Sequence, residues 1–221
     1  LSFSDTNARI HTRTCSNINT RTPNRYAAKP LILKIAEKHP TSLPYIKMTI
    51  AAMRQFGVNV ETVADNHYII PNCGYRAPTS DDVVLVEADA SSATYALAIA
   101  AVTGNEVTVE GVGSESLQGD ASFCRALEKM GCEVKQTKMS TTVRGPGKQG
   151  GLQAIDIDMM TMTDAFMTLA AVAAVSNGVT KITGIANQRV KECDRIAAMV
   201  RELAKCGVRV VFECNSLYVK R

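Results

Sequence analysis

The stretch ANQRVKECDR, Ala186 to Arg195, crowds three cations and two acids into ten positions. On a helix over residues 187–205, four-residue spacing lines up Asn187, Lys191 and Arg195, with Glu192 at their margin. Val190, Cys193, Ile196, Ala197, Val200, Leu203 and Ala204 then share the apolar side. Cations held together can grip a carboxylate or phosphate, and a carboxylate among them can carry a proton. A plainer reading is a solvated helix face with Glu192 and Arg195 as a weak i,i+3 pair. Against it, Arg189 and Lys191 would stand in the first turn, where the helix dipole disfavours cations. An anionic ligand at the helix start would relieve that conflict.

A second group lies upstream, in IDIDMMTMTDAFMTLAAVAAV. Asp156 and Asp158 alternate along a predicted strand, and Asp164 precedes an Ala-rich helix. Asp164 can be an N-cap, a base facing a cleft, or both. One unit earlier, VEADASSATY repeats the arrangement with Asp89, Ser91 and Ser92, where capping is favoured. SLQGDASF, with Ser116, Gln118 and Asp120, is open between capping and contact. Cys124 and Cys193 fall on apolar helix faces with no histidine near them in sequence, so both are expected to be core thiols and not nucleophiles.

The elements that must position these groups recur. AAMRQFGVNVE, ALEKMGCEVK and ELAKCGVRVVF each read as a helix, a glycine and a strand. Their glycines, Gly57, Gly131 and Gly207, recur about every 75 residues. Gly111 and Gly184, each ending an alternating strand after an Ala-rich helix, keep nearly the same interval. Glycine past a helix end supplies the left-handed C-cap without side-chain strain. The pattern predicts an α/β repeat protein with two nearly complete units and part of a third.

Composition removes several functions. The net charge is +4 over 221 residues, hydrophobic residues make up 46% and aromatics 5%, with no Trp. Basic residues are scattered and not interleaved with aromatics, which argues against nucleic-acid binding. No apolar run approaches the ~20 residues of a membrane span. There is no GxGxxG after a strand and no P-loop, so no nucleotide cofactor is expected. The seven cysteines show no CxxC spacing and the three histidines are far apart, so reduced thiols in a cytoplasmic protein are expected, with no metal site. Residues 1–29 are polar and aperiodic, and are expected to be a disordered or misassigned arm.

Together, VEADASSATYALAIAAVTG, SLQGDASFCRALEKMGC, MTDAFMT and IANQRVKECDRIAAMVRELAKCG resemble the 5-enolpyruvylshikimate-3-phosphate synthase family. The RVKExDR box is highly specific to it. ASSATY and IANQRVKEC are similar to the version inside the pentafunctional arom polypeptide. The resemblance covers about Leu31 to Arg221. It implies repeated βαβαββ units of the enolpyruvyl transferase type, an inverse α/β barrel incomplete at both ends. Residues 30–86 would end a first domain and 87–221 would form the major part of a second, with the active site between them.

The implied reaction moves the enolpyruvyl group of phosphoenolpyruvate to the 5-hydroxyl of shikimate 3-phosphate, releasing phosphate, with no cofactor. By matched position, Ser42 and Tyr45 would bind shikimate 3-phosphate. Asp164 would take the 5-hydroxyl proton, Asn187 and Lys191 would hold the shikimate moiety, Glu192 would exchange protons with the phosphoenolpyruvate methylene, and Arg195 would grip that substrate's anionic groups. Asp164, Lys191 and Glu192 are thus the implied catalytic set. The chain departs from the family at Lys47, where an acid is usual. It also shows no counterpart of the family's N-terminal Lys and Arg phosphate site, Ser-Ser-Gln triplet or NDHR box. About half a site is therefore expected, on a fragment inactive alone, with other shikimate-pathway domains in a longer polypeptide as possible neighbours. The alternatives are UDP-N-acetylglucosamine enolpyruvyl transferase, which would use a reactive Cys in a mobile loop, and a non-catalytic truncated remnant.

Overall fold

The computed structural model describes residues 29–36, 40, 43–76 and 86–220. The expectations for Ser42 and for nearly all of residues 1–29 lie outside the described residues. The chain divides into two compact units between Leu85 and Val86.

In the first unit, strand β1 (Leu31–Lys34) is followed by helix α1 (Leu43–Gln55) and the hairpin β2 (Glu61–Ala64) and β3 (His67–Ile70). The antiparallel sheet runs β1-β3-β2, with Leu31 opposite Ile70 and Lys34 opposite His67. Among the described residues of this unit, the buried apolar side chains are Val58, after α1, and Tyr68 on β3.

The second unit opens with helix α2 (Ala90–Thr103), strand β4 (Glu106–Glu110), helix α3 (Phe123–Lys129) and strands β5 (Glu133–Gln136) and β6 (Ser140–Arg144). After the single turn α4 (Gly147–Gly150) come β7 (Asp156–Asp158), α5 (Phe166–Ala173), β8 (Val179–Thr183), α6 (Arg195–Lys205), β9 (Arg209–Glu213) and β10 (Ser216–Lys220). The sheets run β4-β6-β5 and β7-β8-β10-β9, and among the described strands only β7 and β8 pair in parallel. A strand, a helix and a hairpin whose second strand returns to the centre therefore occur three times, in the orders β1-β3-β2, β4-β6-β5 and β8-β10-β9. With β7 and α5 in front, the last repeat is a full βαβαββ unit, the unit that the family resemblance implies.

The three repeat glycines close their helices in one way. Gly57, Gly131 and Gly207 have φ of 80°, 101° and 77°. Each donates to the carbonyl three residues back, and the next residue donates to the carbonyl five back: Val58 to Met53 at 2.9 Å, Cys132 to Leu127 at 3.0 Å and Val208 to Leu203 at 3.1 Å. These are Schellman caps, which satisfy carbonyls the helix leaves open.

The core of the second unit gathers Phe123, Leu127 and Met130 around α3, Phe166 and Leu169 on α5, and Ile182, Ile196, Leu217 and Val219. Cys124 is buried among them as expected, and burial pushes its thiol pKa up. Helices α2 and α5 meet through small side chains and one polar contact, the Thr94 and Thr168 hydroxyls 3.0 Å apart in the interior. Thr94 Oγ1 donates to Ser91 O at 2.6 Å, so Thr168 must be the donor to Thr94. Thr94→Val is thus expected to cost about 1–3 kcal/mol, because it strands a buried donor and a carbonyl. Thr168→Val, which removes only one of Thr94's two partners, is expected to cost about 0.5–1.5 kcal/mol. Urea denaturation of both variants checks the order, and equal costs would refute the assigned donor sense.

Candidate active site

Where the sequence pattern predicts one helix over 187–205, the structure has three pieces. A 3-10 turn covers Ala186–Arg189, residues 190–193 form bends, and α6 starts at Arg195 after its cap, Asp194. Asp194 caps α6, its carboxylate accepting from Ala197 N at 2.9 Å. An aspartate just ahead of the first apolar-periodic residue is a strong start signal, and here it outweighs the spacing upstream. Two expectations are corrected. Cys193, placed on the apolar face, is exposed, and Val190 is 76% exposed, because neither lies on a helix. Arg189 and Lys191 are not in the first turn of α6, so the dipole conflict inferred for them does not arise. Arg189 instead pairs with Asp194 at 3.3 Å and lies over the Phe212 ring.

Freed from the helix, the bend folds back on the turn before α5. Asp164 sits in a 3-10 turn, Thr163–Ala165. Arg195 Nη1 donates to its Oδ1 at 2.8 Å, Gln188 Nε2 donates to the same oxygen at 3.1 Å, and Lys191 Nζ stands 3.6 Å away. The Arg195 fork also closes on Glu192, Nε to Oε1 and Nη2 to Oε2, both 2.8 Å. Side-chain exposure grades outward: 18% for Arg195, 21% for Asp164, 32% for Lys191 and 65% for Glu192.

Asp164 and Asp89 stand at corresponding places, each before an Ala and a helix, yet they do different things. Asp89 caps α2, accepting from Ser91 N at 2.9 Å and Ser92 N at 3.3 Å. Its pKa lies below the ordinary carboxylate range, chiefly because of the Ser92 hydroxyl. No side chain caps α5. Asp164 is held by charge-assisted contacts. Asp120, 6% exposed, receives the Ser91 hydroxyl at 2.6 Å. Burial pushes its carboxyl up, and the charge of Asp164 adds to the rise. Ser116 and Gln118 serve structure, both bonding Glu87, while Gln118 Oε1 accepts from Ala90 N at the start of α2.

Asn187, in the turn after β8, reaches Thr163 Oγ1 through Nδ2 at 3.4 Å. Its Oδ1 is buried with no hydrogen-bond partner among the described residues. Asp164, Asn187, Lys191, Glu192 and Arg195 thus lie together, whereas Tyr45 lies on α1 in the other unit, 47% exposed. The sequence reading passed over Gln188. Its side chain is completely buried and bridges Asp164 to Arg195, accepting from Arg195 Nη1 at 2.8 Å. A helix wheel drawn from residue 187 could not single it out.

The Arg195 fork sets the state of Glu192. Its hydrogen bonds hold the Glu192 carboxyl below the usual glutamate range, and the Glu192 bond in turn raises the Arg195 guanidinium pKa. The contribution of this pair to folding is present above the ordinary glutamate pKa and is lost as pH falls through the depressed one. Arg195→Lys removes the planar fork. A carboxyl ¹³C titration should then show the Glu192 midpoint moving up, and an unmoved midpoint would show that Arg195 does not control it.

This arrangement, a base candidate between two cations beside an open buried acceptor, sits in a repeat fold with known relatives. A family model for EPSP synthase (3-phosphoshikimate 1-carboxyvinyltransferase) matches residues 28–220. The chain belongs to the EPSP synthase family. It is 57% identical over 204 residues to the pentafunctional AROM polypeptide of Schizosaccharomyces pombe, covering 88% of this chain and 13% of that one. It is 52% identical over 203 residues to that of Malassezia globosa, covering 84% of this chain and 12% of that one. Among solved structures, EPSP synthase from Acinetobacter baumannii superposes with a TM-score of 0.66 at 24% identity, over 86% of this chain and 42% of that one. The enolpyruvyl transferase NikO from Streptomyces tendae gives 0.63 at 20%, with the same coverage. At these identities the structures show the fold alone. The chain spans about an eighth of the length of the AROM relatives and under half of the solved chains. No helix among the described residues is long and apolar enough to cross a membrane.

Proposed function

We propose that this chain carries the proton-transfer and anion-binding half of a site that moves the enolpyruvyl group of phosphoenolpyruvate onto the 5-hydroxyl of shikimate 3-phosphate. The observation that carries the reading is the carboxylate of Asp164, held among Arg195, Lys191 and Gln188. In the reaction, Asp164 takes the proton of the 5-hydroxyl as that oxygen bonds to C2 of phosphoenolpyruvate, and the methylene carbon gains a proton. The C–O bond to phosphate then breaks and the new methyl group returns a proton, so phosphate leaves and the double bond is restored. Glu192, beside the Arg195 fork, is the group proposed to exchange protons with that carbon. Asn187 Oδ1, a buried acceptor awaiting a donor, suits a shikimate hydroxyl. Lys191 holds the same moiety, and Arg195 presents to phosphoenolpyruvate a fork that now grips a carboxylate. Ser42 and Tyr45 would add contacts to shikimate 3-phosphate. The domain assignment 30–86 and 87–221 and a cytoplasmic setting belong to the same reading, as do neighbouring shikimate-pathway domains, which the small share of each AROM relative that the chain covers supports.

The test exchanges this segment for its counterpart in the Schizosaccharomyces pombe polypeptide and measures phosphate release with both substrates saturating. Release dependent on shikimate 3-phosphate is expected. A folded exchange product without it, beside an active unexchanged control, would overturn the reading. The 221-residue chain by itself is expected to bind shikimate 3-phosphate weakly without turnover. Transfer between two bound anions needs simultaneous placement and charge stabilisation from more groups than these. Clear phosphate release from the pure chain would contradict this.

A further inference from the structure

We infer that Gln188 is a positioning residue, a fixed spacer that sets the separation of Asp164 and Arg195; this rests on the functional reading above. The side chain is completely buried, while its neighbours Ala186, Arg189 and Val190 are exposed. Burying a carboxamide is costly unless both its ends are bonded. Here both ends are bonded to groups that the reading places on substrate: Nε2 to Asp164 Oδ1 at 3.1 Å and Oε1 to Arg195 Nη1 at 2.8 Å. The partners force the orientation of the amide, because a guanidinium can only donate and an ionised carboxylate can only accept. A carboxamide does not titrate, so this donor and acceptor sense persists across the working pH range.

The three side chains also come from three separate elements. Gln188 is in the turn after β8, Asp164 in the turn before α5, and Arg195 is the first residue of α6. The direct bond from Arg195 to Asp164 at 2.8 Å fixes one distance, and the amide fixes a second, which defines the plane of the guanidinium against the carboxylate. An apolar side chain of similar volume would fill the space but leave the fork held only by Asp164 and by the exposed Glu192, which a ligand anion would displace. The spacer therefore keeps the Arg195 fork facing outward when a ligand anion takes the place of Glu192.

Two variants of the 221-residue chain test this by NMR, with shikimate 3-phosphate as the probe. Gln188→Leu keeps the volume and removes both bonds. Its Arg195 guanidinium resonances should broaden relative to wild type, and shikimate 3-phosphate should bind on the order of tenfold more weakly, as expected for losing one or two such bonds. Gln188→Glu keeps the acceptor for Arg195 and puts a second carboxylate beside Asp164. The Arg195 resonances should persist, and the Asp164 carboxyl should titrate at higher pH than in wild type. The other charges facing it, Lys191, Arg195, Glu192 and buried Asp120, are unchanged in this variant.

A merely space-filling Gln188 would leave the guanidinium resonances of Gln188→Leu as sharp as in wild type. If Gln188→Leu leaves both the Arg195 resonances and the affinity as in wild type, the proposal is overturned. Should Gln188→Leu fail to fold, Gln188→Glu decides, and an unmoved Asp164 titration overturns it. If wild type shows no shikimate 3-phosphate binding at all, the functional reading fails, while the Arg195 resonances still decide whether Gln188 positions the fork.

Discussion

Asp164→Asn, placed in the exchanged polypeptide, is expected to lower turnover by ~10² to 10⁴ and to lower the thermal midpoint as well. Both effects have one source. Asparagine keeps the shape and one oxygen but takes no proton from a hydroxyl, so the chemical step would lose the base proposed for it. Its amide is also no counter-ion. Arg195, 18% exposed, would keep Glu192 and neutral amide oxygens but lose a partly buried counter-ion. A hydrogen bond to a charged group contributes about 1.5–3 kcal/mol, so exchanging the carboxylate for an amide should show in a denaturation curve. The turnover assay and a thermal scan are read together. Turnover within a few-fold of wild type, whatever the scan shows, would remove Asp164 from the chemistry and leave it a structural counter-ion.

The repeat was legible before the site because glycine leaves a backbone signature. The left-handed cap at Gly57, Gly131 and Gly207 needs one residue type at one place, and local sequence carries that need in full. Asp89 as a cap was legible for the same reason, since its partners are nearby backbone amides and a side chain within three residues. Spacing alone left Asp164 open between cap and base, because its side-chain partners lie 24 to 31 positions away and nothing local distinguishes it from Asp89; only the family resemblance gave it a role. Gln188 was missed for that reason also: an amide bridging two distant charges has no periodic trace.

The break at Asp194 was misread for a different reason. Apolar spacing at Val190 and Cys193 continued the pattern of α6 backwards, and periodicity alone cannot weigh a cap against further helical turns. The correction matters for function. Had the helix run from Asn187, then Lys191, Glu192 and Arg195 would project from one rigid face. With α6 starting at Arg195, Lys191 and Glu192 belong to a bend that can settle around Asp164, and only Arg195 is fixed by the helix.

That difference underlies the second large effect. Lys191→Ala and Glu192→Gln, in the exchanged polypeptide, are each expected to collapse turnover by ~10² to 10⁴ while leaving the thermal midpoint close to wild type. Neither side chain helps much to hold the fold. Glu192 is 65% exposed and its bond to Arg195 is an exposed i,i+3 pair, a kind that contributes little to stability. Lys191 stands 3.6 Å from Asp164, beyond a good hydrogen bond, and it lies in no helix or strand. Their chemistry is another matter. A glutamine in place of Glu192 would offer no proton to a methylene and receive none, and without Lys191 the shikimate moiety loses a cation that charge-assisted contact would place. The kinetic pattern separates the two roles: Lys191→Ala should raise KM as well as lower kcat, whereas Glu192→Gln should act chiefly on kcat. Unchanged turnover in both would return the bend to an ordinary solvated surface, and a large fall in thermal midpoint in either would show that the charges serve folding.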